Sequence, residues 1–365
     1  MPSTIVVIAP NWLGDAVMAL PAIAAIRACT PAATIVVAGR ASTVALFSMV
    51  AAVNEVVRLD SRGGVVGAMS WAEDAASLRS TQADVAVLLP NSFRSAWTAY
   101  RAGIPERWGY AADLRGRLLT RKVARLRGRF HQAEYYLHLV RELGYVESGG
   151  SRISLPRLAP PPEAHERADA LLTRLGLGPG APLVGLAPGA AYGKAKQWPP
   201  QYYGVLAADL HARLGATSLI FGARADEKTS GVVSQIAAEK IRNCKKDRSG
   251  AGKPVTLDLA GQTDLPLLVA LMTRCRVVVS NDSGAMHVAA AAGVPIKAVF
   301  GASDERGTAP LPCDADPAPR HEVLTAPAWC RPCMLRECPI DHRCMRRVLP
   351  ERVAEAVERT VVSGQ

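Results

Sequence analysis

Residues 278–293, VVSNDSGAMHVAAAAG, decide the fold that the sequence predicts. The segment reads as a buried strand, a short polar turn, and a helix of small residues closed by Gly293. Such a turn places backbone N–H groups and the positive end of a helix dipole at one point, an arrangement that binds phosphate. Because Asp282, Ser283 and His287 lie in or just after the turn, they can contact whatever is attached to the phosphate. The segment therefore predicts a nucleotide-sugar site.

The same order of strand, turn and helix recurs on both sides of a proline-rich segment at residues 155–162. Strands are predicted at residues 4–9, 34–38, 85–89, 183–187, 218–222, 277–280 and 296–300. A parallel sheet with crossover helices is the natural arrangement for each half. We therefore predict an α/β protein with two Rossmann-like domains, residues 1–160 and 161–348, that face a shared cleft. A last helix within residues 349–365 is expected to pack back on the N-terminal domain.

The composition indicates a globular protein with an anionic partner. The chain has 365 residues, is 49% hydrophobic and has a formal net charge of +11. It contains no apolar run long enough to cross a bilayer. The first apolar segment is interrupted by Asn11 and Asp15 and lacks a basic leader, so we do not interpret it as a signal peptide. A cytoplasmic location is expected.

Much of the positive charge is local. Seven basic residues with no acidic residue among them lie between positions 115 and 129: Arg115, Arg117, Arg121, Lys122, Arg125, Arg127 and Arg129. Composition alone favours a solvated basic face and a ligand-binding patch about equally. A second basic run at residues 240–253 is rich in Gly, Asp, Ser and Asn and is predicted to be a surface loop.

The turn after the first strand, PNWLGD at residues 10–15, lies at the mouth of the N-terminal sheet. It lacks the G-x-G-x-x-G pattern of dinucleotide binders, which argues against a nicotinamide cofactor. Asp15 reads as an ordinary acidic residue at a helix start, or as a general base that accepts the proton of an attacking sugar hydroxyl.

The C-terminal half opens with a strand and a glycine-bearing loop that contains Lys194 and Lys196. A lysine at this position can neutralise the charge of a departing diphosphate without a metal ion. The alternative is a solvent-facing lysine pair. The position of the loop directly after a strand favours the functional interpretation.

Three short motifs occur in a fixed order: NWLGD at residues 11–15, KQWP at residues 196–199, and NDSG at residues 281–284 with His287. Together they resemble the bacterial lipopolysaccharide heptosyltransferases, and the resemblance extends through almost the whole chain. Within that family, the chain resembles the branch that adds the second heptose more than the branch that adds the first. This likeness lies in Asn11, in Trp12 and in the cysteine-rich tail, residues 330–344. The resemblance implies a GT-B fold, inversion at the anomeric carbon, ADP-heptose as donor and no cofactor.

The resemblance also implies roles for individual residues. It makes Asp15 the base and gives Lys196 the donor phosphates, while the NDSG turn, through Asp282, Ser283 and Gly284, contacts the diphosphate and sugar together with His287. Its acidic contact to the ribose corresponds to either Asp226 or Glu227, and the choice stays open. Further donor contacts are expected from Lys194 and, at the adenine, from Thr263 and Leu265.

The implied acceptor is a heptosyl-Kdo-lipid A, approached from the N-terminal domain. Because the acceptor carries carboxylates and phosphates, the basic cluster acquires a partner, and arginine suits bidentate contact. Acceptor contacts are expected from Asn11, Trp12, Arg115, Arg117 and Arg121. Peripheral contact with the inner membrane and a monomeric state are expected as well.

The tail contains Cys330, Cys333, Cys338 and Cys344, with His342 nearby. One C-x-x-C pair followed by wider gaps fits no familiar zinc or iron–sulfur spacing, so reduced or structural cysteines are favoured over a metal site.

Three alternatives for the function of the whole chain remain. They are transfer to another core sugar, a nucleotide-sugar epimerase, which would need the absent glycine fingerprint, and a basic nucleic-acid-binding protein, for which no recognised motif is present.

Overall fold

The computed structural model describes residues 2–60, 67–145, 153–178, 180–243, 254–314 and 320–362. The chain divides into two compact units, Met1–Ala159 (unit 1) and Pro160–Gln365 (unit 2). The division lies within the proline-rich segment 155–162. Prolines and the residues before them disfavour both helix and sheet, which explains why the periodic pattern stops there.

Unit 1 contains a parallel sheet of six strands in the order β3-β2-β1-β4-β5-β6. The strands are β1 (Thr4–Ile8), β2 (Thr34–Arg40), β3 (Glu55–Leu59), β4 (Val85–Leu88), β5 (Glu106–Tyr110) and β6 (Arg121–Val123). Ile5 in β1 pairs with Ile35 on one side and Val85 on the other. The central strands are buried on both faces, as continuous apolar runs in parallel sheets usually are.

The helices of unit 1 lie between successive strands, except the last, which follows the final strand. They are α1 (Leu13–Met18), α2 (Leu20–Cys29), α3 (Ala41–Phe47), α4 (Gly67–Ser80), α5 (Phe93–Arg101) and α6 (Gln132–Glu142). The Ser92 hydroxyl caps α5 by accepting the Ser95 N–H at 3.3 Å. Helix α6 begins after His131, whose side chain accepts the N–H of Ala133.

Unit 2 contains a second parallel six-stranded sheet, in the order β12-β11-β10-β7-β8-β9. Its strands are β7 (Leu183–Ala187), β8 (Thr217–Ile220), β9 (Thr256–Asp258), β10 (Val277–Asn281), β11 (Ile296–Phe300) and β12 (Glu322–Thr325). When the strands of each unit are numbered separately, both sheets have the order 3-2-1-4-5-6, which is that of the doubly wound dinucleotide-binding fold. The predicted fold class, two Rossmann-like α/β domains, is confirmed.

The helices of unit 2 connect successive parallel strands, except the first, which precedes the sheet, and the last two, which follow it. They are α7 (Pro162–Arg174), α8 (Pro200–Leu214), α9 (Glu227–Asn243), α10 (Leu265–Met272), α11 (Gly284–Ala291), α12 (Glu305–Thr308), α13 (Arg343–Arg346) and α14 (Pro350–Val362). Helix α8 ends at Gly215, whose φ of 61° is the left-handed conformation that glycine adopts most easily.

Helix α14 buries Val353, Ala354 and Val357 in the core of unit 2 with residues of α8 and β10. That it also packs back on the N-terminal domain stays a prediction. In the basic run at residues 240–253, the first four residues belong to α9, and residues 244–253 lie outside the described residues. Across the described ranges, no helix combines the length and apolarity needed to span a membrane.

Candidate active site

Each sheet has one point where the strand order reverses, and ligands of doubly wound folds bind outside the carboxyl ends of the strands at that point. In unit 2 this switch point lies between the neighbouring strands β7 and β10. The loop after β7 contains Lys194 and Lys196, and the turn after β10 contains Asp282 and Ser283. The two segments predicted to bind the donor therefore begin side by side.

Lys196 and Asp282 form a salt bridge at this switch point. The Nζ atom of Lys196 lies 2.6 Å from the Oδ2 atom of Asp282, and the two side chains are only 13% and 4% exposed. Lys196 also lies over the ring of Tyr192, with Nζ 4.8 Å from the ring centroid. The ammonium is thus held at one point by a carboxylate and an aromatic face. Lys194, by contrast, is exposed and lines a separate cavity of about 560 Å³ with His342 and Arg346.

Asn281 fixes the two loops relative to each other, a role that the sequence did not reveal. Its Nδ2 group donates to the carbonyls of Pro188 and Gly189, at 2.8 and 3.1 Å. Its Oδ1 atom accepts from the backbone N–H of Trp198 at 2.9 Å and from the hydroxyl of Tyr203 at 3.1 Å. Because Asn281 is fully buried and makes all four bonds, it holds the lysine loop against the end of β10.

The turn after β10 has the geometry expected of an anion site. Ser283 occupies the cap position of α11 with an extended backbone, and Gly284 begins the helix. Ser283, Gly284 and Ala285 are partly exposed, so the first turn of the helix is accessible to a ligand. His287 is only 2% exposed, and its side chain is therefore almost entirely covered in this structure.

The two acidic candidates after β8 differ in what they contact. The Oδ2 atom of Asp226 accepts the N–H of Ala223 at 2.9 Å, and a Cβ placed on Gly189 would lie 2.6 Å from that same oxygen. Asp226 therefore closes a local turn against the loop after β7. The side chain of Glu227 is 58% exposed, with Oε1 3.8 Å from Nε of Arg224. Thr263 and Leu265 are half-buried around Asp264, which caps α10 by accepting the Leu267 N–H at 2.9 Å.

The cysteine-rich tail packs directly on the lysine loop, which the sequence also did not reveal. The N–H of Ala195 donates to the carbonyl of Arg336 at 2.9 Å, and the carbonyl of Ala195 lies 2.9 Å from Nε2 of His342. The hydroxyl of Tyr192 donates to the carbonyl of Met334 at 3.2 Å. A Cβ on Gly193 would lie 2.3 Å from the Arg336 carbonyl oxygen, so only glycine fits this contact. The tail therefore buttresses the loop that presents Lys196.

The four tail cysteines are close enough to affect one another. Burial raises the pKa of the Cys344 thiol, and the nearby thiols of Cys330, Cys333 and Cys338 raise it further. Among the residues that the structure describes, no three His, Cys, Asp or Glu side chains are grouped so that they could hold a metal ion. That these cysteines bind no metal stays a prediction.

In unit 1 the strand order reverses between β1 and β4. Asp15 lies in the first turn of α1, just after β1, and is partly buried. Helix α1 contacts α6, where burial raises the pKa of the Tyr136 hydroxyl and the negative charge of Asp15 raises it further. Asn11 and Trp12 precede Asp15 and are exposed, Trp12 by 56%, so both are accessible to a ligand.

The basic cluster of unit 1 is not one surface. Arg115 is fully buried, and burial lowers the pKa of its guanidinium to about 10. The guanidinium donates to the carbonyl of Tyr110 at 3.0 Å, to the hydroxyl of Ser95 at 3.1 Å, and to the carbonyl of Pro90. The prediction that Arg115 contacts the acceptor is wrong, because its side chain is fully buried and its Nε and Nη1 groups donate inside the unit. Composition could not show this, since buried and exposed arginines share the same spacing.

Arg121 also has a structural role, at the surface. Its guanidinium donates to the carbonyl of Leu143 at 2.8 Å and to that of Glu142 at 3.3 Å, which satisfies the last turn of α6. The same group lies 5.4 Å from the centroid of the Trp108 ring. Arg117, in contrast, is exposed, as are Lys122, Arg125, Arg127 and Arg129.

A cavity of about 660 Å³ lies at the carboxyl edge of the sheet in unit 1. Residues following β4, β5 and β6 line it, including Asn91, Asp113, Arg125 and Arg127. Two members of the basic cluster therefore line a concave site, although Arg115 and Arg121 do not. The cavity combines arginines with amide, carboxylate and aromatic groups, a set that suits an anionic sugar.

Two doubly wound units, each with a polar site at its switch point, define the class of GT-B glycosyltransferases. The chain belongs to glycosyltransferase family 9 (heptosyltransferase), whose family model matches residues 72–343. It is 31% identical to lipopolysaccharide heptosyltransferase 2 of Escherichia coli and 32% identical to that of Salmonella typhimurium, in each case over 84% of this chain and 85% of the relative. The solved structure of E. coli ADP-heptose LPS heptosyltransferase II superposes with a TM-score of 0.78 and 27% identity over 99% of both chains.

Proposed function

We propose that this chain transfers L-glycero-D-manno-heptose from ADP-heptose to the first heptose of the lipopolysaccharide inner core, with inversion at the anomeric carbon. The observation that supports this most is the likeness to heptosyltransferase II, which covers 99% of both chains in the structural comparison. The polar groups at the two switch points fit the chemistry that such a transfer requires.

Unit 2 holds the donor in this proposal. The N–H groups at the start of α11 and the ammonium of Lys196 bind the diphosphate, and the lysine neutralises charge on the departing ADP. Asp282 positions this ammonium through the 2.6 Å contact. Of the two acidic residues after β8, we assign the ribose to Glu227, because Asp226 accepts the Ala223 N–H within its own turn. Lys194 has the weaker case, since it lines a different cavity.

Unit 1 holds the acceptor and the base. The carboxylate of Asp15 takes the proton of the attacking heptose hydroxyl while the new carbon–oxygen bond forms and the bond to the ADP oxygen breaks. The electron pair of the broken bond leaves on the ADP oxygen. No protein group changes its oxidation state, and the proton ends on Asp15. Asn11 and Trp12 contact the acceptor beside the base, because both are exposed immediately before it.

The acceptor's anionic groups fit the cavity at the carboxyl edge of the sheet in unit 1. Arg125 and Arg127 line it, and Arg117 is exposed in the same basic run. Guanidinium groups bind carboxylates and phosphates with two parallel hydrogen bonds, which suits a heptosyl-Kdo-lipid A. A cytoplasmic location, a monomeric state and the absence of a cofactor belong to the same proposal.

The decisive experiment is product analysis. The purified chain is incubated with ADP-heptose and a truncated lipopolysaccharide that ends in one heptose, and the product is analysed by mass spectrometry. We expect the acceptor to gain the mass of one heptosyl residue with release of ADP. An acceptor of unchanged mass, with donor hydrolysed or epimerised instead, would refute the proposal. A truncated acceptor that lacks heptose is the control and should not react.

A further inference from the structure

The outer face of α5 is aromatic. Phe93, Trp97 and Tyr100 follow one another at helical spacing, with ring centroids 6.1 and 5.8 Å apart. Phe93 is 43% and Tyr100 50% exposed. The opposite face of the helix is buried through small residues, namely Ser95, Ala96, Thr98 and Ala99. The small residues supply the buried packing of the helix, while Phe93 and Tyr100 stay exposed and Trp97 is half-buried.

A second apolar side chain projects next to this helix. Leu114 is 97% exposed, and its φ of 59° follows a φ of 49° at Asp113. Left-handed backbone is uncommon for a residue as bulky as leucine and persists where the surroundings hold it. The holder is the buried Arg115, which donates to the Ser95 hydroxyl in the first turn of α5. The turn is therefore fastened to α5 with its leucine in solvent.

Positive charge surrounds these apolar side chains. Residues 93–121 contain six arginines and two acidic residues, although Arg115 is buried and Arg94 lies 3.7 Å from the carboxylate of Asp74. Arg101 and Arg117 are exposed, and the guanidinium of Arg107 lies 5.5 Å from the centroid of the Tyr100 ring. Aromatic rings with adjacent arginines favour the headgroup region of a bilayer, where the rings enter the apolar boundary and the guanidiniums meet anionic lipid.

The location of this surface is informative too. Asn91 lies two residues before α5, and Asp113 directly precedes Leu114, and both line the cavity assigned to the acceptor. A surface that touches a bilayer at this place would bring the cavity to the headgroups of a lipid-linked acceptor.

We propose that Phe93, Trp97, Tyr100 and Leu114, with Arg101 and Arg117, form a surface that docks on an anionic lipid bilayer. We call it the α5 surface. Its occupant is the bilayer, because the exposed apolar groups and the surplus of arginines match lipid chains and anionic headgroups together. The inferred benefit, delivery of the acceptor, rests on the proposed function, whereas binding to the bilayer does not.

The first experiment measures vesicle binding without substrates. The full chain is sedimented with vesicles of phosphatidylethanolamine and phosphatidylglycerol, and separately with phosphatidylcholine vesicles. The test variants are Phe93→Ser/Tyr100→Ser/Leu114→Ser and Arg101→Glu/Arg117→Glu. The matched control is Leu349→Ser/Val362→Ser, which removes two apolar side chains of unit 2 that are 52% and 75% exposed. Thermal unfolding verifies that each variant is folded, as expected for exposed substitutions.

We expect the wild-type chain to sediment with the anionic vesicles and not with the phosphatidylcholine vesicles. The apolar variant should bind the anionic vesicles at least about tenfold more weakly, from the lost burial of three side chains. Each reversed arginine should cost roughly fivefold or more. The control should bind like wild type. Equal binding by wild type and the apolar variant would overturn the proposal. If the apolar variant changed the self-association of the protein but not its vesicle binding, the proposal would be overturned as well, because a second copy of the chain would then cover the surface.

The second experiment separates this proposal from the proposed function. Transfer is measured with an acceptor embedded in anionic vesicles and with the same acceptor deacylated and dissolved in water. The apolar variant should lose transfer to the embedded acceptor and keep wild-type transfer to the deacylated one. Vesicle binding without transfer to either acceptor would refute the function and leave the surface supported. Transfer by the apolar variant to both acceptors at wild-type rates would refute the proposed docking of this surface on the bilayer and leave the proposed function intact.

Discussion

The two sheets have the same strand order, but the cationic side chains near their carboxyl edges, Lys196 in unit 2 and Arg115 in unit 1, have different kinds of partner. In unit 2, Lys196 is bound by the carboxylate of Asp282, a partner that a donor phosphate can join or replace. In unit 1, Arg115 is bound by backbone carbonyls and a hydroxyl inside the core. A cation held by a carboxylate at a partly open edge can serve a ligand, whereas a buried cation held by carbonyls serves the fold.

The largest effect is expected at Asp15. Replacing it with Ala should lower the transfer rate about 100-fold to 10,000-fold, because the attacking hydroxyl loses its base. Binding of ADP, measured by calorimetry, should not change, since the proposed donor site lies in unit 2. The control is Glu73→Gln, an exposed acidic side chain on α4, which should transfer like wild type. Near-normal turnover of the Asp15 variant would reduce this residue to a helix-start charge.

Lys196→Met should affect both chemistry and stability. Transfer should fall about 100-fold to 1,000-fold from the loss of leaving-group stabilisation. The free energy of unfolding should fall by about 3–5 kcal/mol, because Asp282 is left buried without its cation. Adding Asp282→Leu should restore much of the stability in urea unfolding without restoring transfer. If activity returned with stability, Lys196 would be a structural residue like Arg115.

Lys194→Met is the matched control for Lys196, because it removes the same charge two positions away from an exposed side chain. Its free energy of unfolding should stay within about 0.5 kcal/mol of wild type. Its transfer rate should fall far less than that of Lys196→Met. An equal loss of transfer in the two variants would mean that the loop acts through its total charge.

Arg115→Met should destabilise the chain by about 2–5 kcal/mol, because the carbonyls of Pro90 and Tyr110 lose a charged donor in the core. Arg117→Met, only two positions along the chain, should change the free energy of unfolding by less than about 0.5 kcal/mol. Urea unfolding followed by tryptophan fluorescence measures both. Equal stability of the two variants would contradict the structural role of Arg115.

The double substitution Arg125→Ala/Arg127→Ala should raise the acceptor KM about tenfold or more and leave the ADP-heptose KM unchanged, through loss of charged hydrogen bonds in the cavity. Lys122→Ala/Arg129→Ala removes two exposed charges of the same run that do not line the cavity. It should have a much smaller effect in initial-rate kinetics. Equal KM changes would indicate general charge attraction in place of a defined site.

The smallest expected effect concerns metals. Elemental analysis of the purified chain should find zinc and iron well below one atom per molecule. Treatment with a chelator should leave its thermal unfolding unchanged. Stoichiometric metal that disappears in Cys333→Ser would contradict the prediction and assign the cysteine-rich tail a metal.

The sequence determined the central strands because their chemistry is local. Strands β1, β7, β10 and β11 are buried on both faces, so they read as apolar runs that turn residues interrupt. Strands β3, β6, β9 and β12 were not predicted. They lie at the sheet edges, where one neighbour is enough, so they are short and polar, as in EVVRL at Glu55–Leu59. The adjacent β5 (Glu106–Tyr110) was missed for a similar reason, since it begins with two charged residues.

The candidate site divides in the same way. The turn at residues 281–284, which we propose binds phosphate, was predictable, because its strand, turn and helix are consecutive in the chain. The pairing of Lys196 with Asp282 was not, since the two residues are 86 positions apart and meet only because β7 and β10 are neighbours. The contacts of the cysteine-rich tail with Ala195 join residues still further apart.

The sequence by itself thus determined that this protein has two doubly wound sheets, where their turns lie, and the family to which the motifs point. Only the tertiary structure decided which charged side chains are buried and which are exposed. Arg115 and Arg117 have the same side chain and lie two positions apart, yet one is fully buried and the other exposed. The physical reason is that hydrophobic periodicity is encoded locally, whereas the partner of a charge depends on strands brought together from distant parts of the chain.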